Sequence, residues 1–279
     1  MILDGRIVAN EIGNNLKEMI LARPDVRPPH LVIISVGDDP ASKVYVKNKV
    51  KKAEELGIHT KHIVFSEDES ECNICTTIEY LNRDHTVDGI MVQLPLPSHL
   101  NERKIIDTIY SEKDVDGLTT TNIGKLRSGQ PCIKPCTAAG VMDLLDYYHI
   151  PVEGKDVTII GRSNIVGKPL ADLMMVAGAT VTQCHSHTYN LDFHIRGADI
   201  VVSAIGKPEY FGLSSLKGWH DAIIDVGINR TETGRLCGDI KFEEVKDLCN
   251  GITPVPGGVG PMTVIELMKN TVECWRKNV

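Results

Sequence analysis

The chemistry-bearing residues in the first half of this 279-residue chain begin with a tyrosine and a lysine four positions apart, Tyr45 and Lys49, in SKVYVKNKVKKAEELGI. On a helix that spacing puts both side chains on one face. The pair proves little alone, because lysines at 43, 47, 49, 51 and 52 crowd the segment and read equally well as a solvated face. Two other residues favour chemistry. Gln93 closes a buried-looking strand just before Leu94-Pro95-Leu96-Pro97, where an uncharged amide orients a neighbouring lysine without locking it into a salt bridge. Asp116, in KDVDGLT, is a carboxylate in a glycine-containing loop, suited to accept paired N–H bonds from a heterocycle.

The second half offers a different chemistry. VTIIGRSNIVGKPLADLMMVAG reads as a strand, a tight turn and a helix, the place where a dinucleotide pyrophosphate sits on free helix N–H groups. Gly161 and Gly167 are present, but Ser163 stands where the usual fingerprint has its middle glycine. Alone, the turn is equally that of any α/β protein. Roughly 20 residues on, where an NAD site usually carries an acidic residue for the ribose 2′-hydroxyl, the chain reads Cys184-His185-Ser186-His187. With no carboxylate to repel a 2′-phosphate, and with Arg162 and Ser186 to hydrogen-bond one, NADP is the expected cofactor. Gly206, Gly227 and Ile228 fall near the ends of later strands, where open α/β sheets bind ligands. His185 and His187, two apart and without a third ligand, read as loop residues, so no metal site is expected.

These residues need elements to hold them. Val8, Ile12, Leu16 and Met19 recur at helical spacing; LVIISVG, HIVF and GIMVQL are short β-rich runs separated by helical stretches at 43–56 and 70–82. VTIIG, TVTQC, DIVVSAIG and DAIIDVGI repeat the alternation with runs apolar on both faces. Alternation of this kind is the βαβ signature, and the predicted fold is two-lobed α/β: an N-terminal parallel-sheet lobe and a Rossmann-type lobe. The Gly-, Pro-, Thr- and Asp-rich zone ending in PCT is the natural junction, with Thr137 predicted as the N-cap of a helix AAGVMDLLDYYH. Met262, Ile265, Met268, Val272 and Trp275 predict a last helix that returns to the first lobe. The expected partition is therefore residues 1–137 plus 262–279 against 138–261.

Composition narrows the classes. At roughly 150 residues per domain, the length supports about two domains. Apolar residues at 42% and charged residues at 24% match a globular chain and disfavour disorder. A net charge of −7 without a Lys/Arg block, and aromatics at only 5%, argue against nucleic-acid binding. No apolar run approaches the ~18 residues of a membrane span, and MILDGRIVANE lacks the apolar core of a signal peptide. The expectation is a cytoplasmic protein without membrane contact. Eight cysteines are too sparse for a disulfide scaffold, and Cys72 and Cys75, though a C-x-x-C, lie in an amphipathic run with Ile74, Ile78 and Leu81 on one face.

YVKNK, VQLPLP, KDVDGLTTTNIG, PCT, GRSNIVGKP and PVPGGVGPMTVIELMKNT, in this order from about residue 40 to 270, resemble the motifs of the bifunctional methylenetetrahydrofolate dehydrogenase/methenyltetrahydrofolate cyclohydrolase family. The resemblance implies a homodimer of two-lobed α/β subunits, with NADP in the second lobe and folate in the cleft between lobes. It implies oxidation of 5,10-methylenetetrahydrofolate to the 5,10-methenyl form, then hydrolysis to 10-formyltetrahydrofolate. By the same resemblance Lys49 is the catalytic lysine, Tyr45 stacks on the aminobenzoyl ring, Gln93 tunes Lys49 and Asp116 binds the pterin edge. Gly161, Arg162, Ser163, Ser186 and Ile228 would contact NADP, and Val255, Pro256, Gly257 and Gly258 would wall the folate pocket. Ala138-Ala139, where relatives commonly carry a proline and often a basic residue, departs locally from the pattern. A two-domain amino-acid or shikimate-type dehydrogenase, which also pairs a Rossmann lobe with a catalytic lysine, would leave PVPGGVGPMT and the Tyr45, Gln93 and Asp116 set unexplained, and a non-catalytic NADP-binding scaffold has no chemical reason to keep Lys49, Gln93 and Asp116.

Overall fold

A computed structural model describes residues 1–216 and 218–279, with the backbone alone at Ala41. In chain order the elements are α1 (Gly5–Leu21), β1 (His30–Val36), α2 (Pro40–Leu56), β2 (His59–Phe65), α3 (Glu71–Arg83), β3 (Gly89–Val92), α4 (Glu102–Asp107), α5 (Thr120–Arg127) and α6 (Cys136–Tyr147). They continue with β4 (Asp156–Ile160), α7 (Gly167–Val176), β5 (Thr180–Cys184), α8 (Leu191–Arg196), β6 (Ile200–Ser203), β7 (His220–Asp225), β8 (Asn229–Arg230), β9 (Leu236–Cys237), α9 (Phe242–Val245), β10 (Cys249–Ile252) and α10 (Val259–Asn278). They form two compact units, one of residues 11–136 and 264–279, the other of residues 1–10 and 137–263.

The first unit holds a three-stranded parallel sheet in the order β2-β1-β3. Its central strand is buried on both faces, with Leu31, Val32, Ile33 and Ile34 fully covered. That is why the segment reads as a continuous apolar run. Ile74, Ile78 and Leu81 of α3 pack with Val32, Ile34, Ile90 and Val92 in one core cluster. Cys72 is exposed and Cys75 half-buried on this helix, both as free thiols. α2 starts on Pro40 with Asp39 accepting from Ser42 N at 2.7 Å, and stops at Gly57, whose φ of 82° only glycine adopts at little cost. The buried face of α10, with Ile265, Met268, Val272 and Trp275, belongs here.

The second unit is a five-stranded parallel sheet, β10-β7-β6-β4-β5, with a small antiparallel pair β8-β9. The chain order reverses at β4, whose neighbours are β5 on one side and β6 on the other. Open α/β sheets bind ligands at the carboxyl ends of strands beside such a switch.

Three local expectations change. Residues 1–10, placed by the sequence reading with the first lobe, belong to the second unit, where Leu3 N donates to Ile252 O (2.8 Å) and Gly5 N to Gly257 O (2.9 Å). Thr137 is not an N-cap but lies inside α6, its hydroxyl 3.1 Å from that of Thr263; the helix begins one residue earlier, directly after Pro135. α10 likewise starts at Val259 rather than Met262, because Pro261 in its first turn forfeits no helical hydrogen bond.

Asp88 is the polar anchor of the first unit. Its buried carboxylate accepts from Arg27 (2.6 and 2.8 Å), His30 N (2.9 Å) and Asn278 Nδ2 (3.0 Å). Asp88→Ala leaves these donors unpaired and is expected to lower unfolding stability by about 2–4 kcal/mol, read from the urea midpoint at unchanged slope.

Candidate functional site

Helical geometry decides which lysine of α2 is special. Val46, Lys49, Ala53 and Leu56 fall on the buried face, whereas Lys43, Lys47 and Lys51 are exposed and Lys52 is half-buried. Lys49 Nζ donates to Gln93 Oε1 at 3.0 Å and to Met91 Sδ at 3.4 Å. Gln93 follows β3 directly, its N–H bonded to Ile34 O at 2.8 Å. Its own Nε2 donates to Leu94 O at 2.7 Å, which pins the amide with its oxygen toward the lysine. Burial lowers the Lys49 pKa below the ordinary lysine value, against the opposing pull of Asp116 and Cys136. Desolvation against a neutral oxygen disfavours the ammonium form relative to water, as no fixed opposite charge is in direct contact.

Asp116 faces the same region, and burial raises its pKa, opposed chiefly by the Lys49 charge. The loop that carries it is tightly held. Gly117 has φ 71°, and a Cβ there would sit 2.5 Å from Lys134 C. Cys136 Sγ donates to Val115 O (3.3 Å), and Asn270 Nδ2 donates to Val115 O (2.9 Å) and Lys134 O (3.0 Å). Burial pushes the Cys136 thiol well up, with Asp116 adding to the effect, so it stays protonated. Met91, Cys136 and Asn270 carry no role expected from the sequence, although each lies in one of the strings named above, GIMVQL, PCT and PVPGGVGPMTVIELMKNT. Tyr45 lies one turn before Lys49 with its ring exposed.

In the second unit, Gly161 follows β4 with φ 135°, and its N–H bonds to Cys184 O at 2.9 Å. Since Ile160 pairs with Cys184, the exposed Arg162 and Ser186 follow neighbouring strand ends at matching positions. The expected free N–H groups at the start of α7 are partly taken. Ser163 Oγ accepts from Val166 N (3.2 Å) and Gly167 N (3.3 Å), so the serine hydroxyl covers N–H groups of the N-cap residue Val166 and of the first helical residue. With both lone pairs engaged, its O–H remains to donate outward. Ile228 is exposed three residues beyond the buried Asp225 that ends β7. Gly257, at φ 112°, and Gly258 shape the turn entering α10; Gly258 N donates to Pro254 O at 2.8 Å, and Val255 and Pro256 complete that turn. These four share a unit with Gly161, not with Lys49. His185 Nδ1 accepts from His187 N at 3.1 Å, a local turn contact.

Two cavities lie elsewhere in this unit. One of about 560 Å³ is lined by Asp156, Thr158, Phe193 and Arg196, at the amino end of β4; another, of about 490 Å³, includes Val255 as its single predicted site residue. Among the described residues no group of three or more His, Cys, Asp or Glu is arranged to hold a metal, and no helix is long and apolar enough to cross a membrane.

A desolvated lysine in one parallel α/β unit and a Gly161-type turn at the switch point of another define the class of two-unit α/β enzymes that work with a dinucleotide. Family models confirm and narrow it. Residues 3–116 match the tetrahydrofolate dehydrogenase/cyclohydrolase catalytic domain, and residues 135–279 match the NAD(P)-binding domain of that family. A bifunctional protein FolD of Ligilactobacillus salivarius is 48% identical over 279 residues, covering 100% of this chain and 98% of the relative. The crystal structure of the FolD methylenetetrahydrofolate dehydrogenase/cyclohydrolase of Campylobacter jejuni is 43% identical with a TM-score of 0.97, covering 100% of this chain and 99% of that one. A Trypanosoma brucei methylenetetrahydrofolate dehydrogenase-cyclohydrolase complexed with NADP and an inhibitor is 36% identical with a TM-score of 0.93, covering 99% and 97%. The chain belongs to the tetrahydrofolate dehydrogenase/cyclohydrolase family.

The residues present fit NADP. A guanidinium and a hydroxyl stand at adjacent strand ends, and no Asp or Glu occurs from Cys184 to Thr188. The turn beside them has no room for a side chain, since a Cβ on Gly161 would lie 2.5 Å from Ala204 O. Gly161→Ala is therefore expected to weaken NADP+ at least tenfold in a fluorescence titration; wild-type affinity would mean that the turn shifts freely.

Proposed function

We propose that Lys49, Gln93 and Asp116 carry the folate chemistry of this chain and that Gly161, Arg162, Ser163, Ser186 and Ile228 bind its NADP. The chain is an NADP-dependent 5,10-methylenetetrahydrofolate dehydrogenase and 5,10-methenyltetrahydrofolate cyclohydrolase of one-carbon metabolism. The observation that carries the residue assignment is the Lys49 amine, the one fully buried lysine among the five of its segment and 3.0 Å from a neutral amide oxygen.

NADP+ supplies the hydride acceptor for the methylene bridge, and the protein's task in that step is alignment. The oxidised folate is a resonance-stabilised cation and thus already an electrophile. Water adds through its oxygen to the methenyl carbon while Lys49 Nζ, as the neutral amine, takes a proton. Returning that proton to N5 as the carbon–N5 bond breaks gives 10-formyltetrahydrofolate, with one net proton released. Gln93 Oε1 keeps Nζ oriented without holding it charged. Asp116 binds the pterin edge and Tyr45 stacks on the aminobenzoyl ring. Val255, Pro256, Gly257 and Gly258 contribute folate contacts. Arg162 and Ser186 take the 2′-phosphate, and Ser163 donates its remaining O–H to the cofactor. The protein acts as a cytoplasmic homodimer on this reading. Support for self-association comes from β5, an edge strand of its sheet, with Tyr189 and Phe193 exposed just beyond it; sedimentation showing a monomer at micromolar concentration would remove it.

The deciding assay follows NADPH formation from 5,10-methylenetetrahydrofolate, repeats it with NAD+, and then follows decay of the methenyl chromophore. Lys49→Met is expected to slow methenyl hydrolysis by about 100-fold or more, the scale of a lost general base, while NADP+ titrates normally; lost cofactor affinity would place the residue wrongly. Arg162→Ala should weaken NADP+ far more than NAD+, and an equal loss for both would end the 2′-phosphate assignment. Catalysed hydrolysis should rise with pH as Lys49 loses its proton, and because burial depresses its pKa the midpoint should fall below the ordinary 10.5.

A further inference from the structure

We propose that Asp239, paired with Asp225, is a positioning residue for NADP in the dehydrogenase step, acting through the loops that follow β6 and β7; the inference rests on the cofactor reading above. Both carboxylates are buried; Asp225 lies in the DAIIDVGI run, and Asp239 in none of the strings named above. Four donors converge on Asp239. Its Oδ1 accepts from Lys207 N (2.8 Å) and Asn229 Nδ2 (2.9 Å), and its Oδ2 from Ser203 Oγ (2.8 Å) and Ile205 N (2.8 Å). Asp225 accepts at Oδ1 from Gly227 N and Asp239 N (3.0 Å each) and at Oδ2 from Ile240 N (2.9 Å).

The identity of those donors gives the arrangement its meaning. Ser203, Ile205 and Lys207 are the end of β6 and the loop after it, while Gly227 and Asn229 flank Ile228 beyond β7. β6 is the strand beside β4 at the switch point, and Ala204 is the residue against which Gly161 packs without room for a Cβ. One carboxylate pair therefore sets the height of three backbone segments at the carboxyl end of the sheet, where a dinucleotide lies. Glycines at 227 and 238 make this possible, because a Cβ at either would overlap an Asp239 or Asp225 carboxylate.

A purely structural tie would not need this chemistry. Burying two like charges is costly, and burial pushes Asp225 up to about 7. Apolar side chains would hold the loops together with less penalty, but they would not fix individual N–H groups at hydrogen-bond length. With all its acceptor positions engaged by protein donors, Asp239 does not itself reach the cofactor.

The two activities supply an internal control, since hydrolysis of added methenyltetrahydrofolate consumes no NADP+. Asp239→Asn turns an NH2 toward a donor. It is expected to raise the KM for NADP+ at least tenfold, while kcat and KM for methenyl hydrolysis stay within twofold of wild type. An unchanged KM for NADP+, or a parallel fall of both activities in folded protein, would overturn the proposal. Should Asp239→Asn not fold, Asn229→Ala removes a single donor and keeps every main-chain bond. About a threefold rise in that KM with normal hydrolysis then supports the proposal, and no rise sinks it. Wild-type protein that fails to reduce NADP+ with methylenetetrahydrofolate would remove the cofactor reading itself, a result separate from either variant's.

Discussion

In the first unit the Lys49 amine is taken out of water without a fixed opposite charge in direct contact, and the surrounding elements depend on that placement. Desolvation lowers the amine's pKa, but a carboxylate in direct contact would restore the charge and cancel the effect. The neutral oxygen of Gln93 resolves the conflict: it satisfies one N–H at 3.0 Å and leaves the proton free to move. Everything nearby serves this placement. α2 must be capped and amphipathic so that position 49 turns inward, β3 must end where Gln93 begins, and the Leu94 carbonyl must hold the amide the right way round. Asp116 stays close enough to act on the lysine's charge, on a loop tied down by Asn270 and the Cys136 thiol.

The second unit uses burial for a different purpose. There, carboxylates and a serine hydroxyl act as fixed acceptors that set backbone positions: Ser163 closes the start of α7, while Asp225 and Asp239 gather the loops after β6 and β7. Native proteins hold only a small margin of stability. Two buried carboxyl groups are thus a substantial concession, offset by a core in which Ile160, Val201, Ile223 and Ile252 pack in one cluster. In one unit desolvation lowers an amine's pKa; in the other, buried acceptors fix backbone positions.

Charge adds a further constraint. A chain of net charge −7 handles an anionic cofactor and an anionic folate, so attraction must be local rather than global. Arg162, exposed at the end of β4 with no carboxylate in the facing 184–188 segment, is placed to supply it. The basic residues of α2 other than Lys49 are mostly solvated, so their charges are screened by water.

Much of the architecture was legible before any coordinates. TVTQC coincides with β5, the faces Ile74-Ile78-Leu81 and Met262-Ile265-Met268-Val272-Trp275 are buried as their spacing implied, and the alternation of runs yielded two parallel sheets. Long motif strings carried the family, and the missing carboxylate after β5 carried the cofactor. Such features are local: periodicity, turn chemistry and strand-end residues are written within a few positions of one another. What only the tertiary structure decided is which lysine of five loses its water, that Asn270 and Cys136 meet across 134 positions, that residues 1–3 bond to β10, and that Asp225 and Asp239 share one network. Desolvation and hydrogen-bond partnership depend on groups brought together from distant parts of the chain, so a residue's type reveals what it is able to do, and its buried neighbours determine what it does.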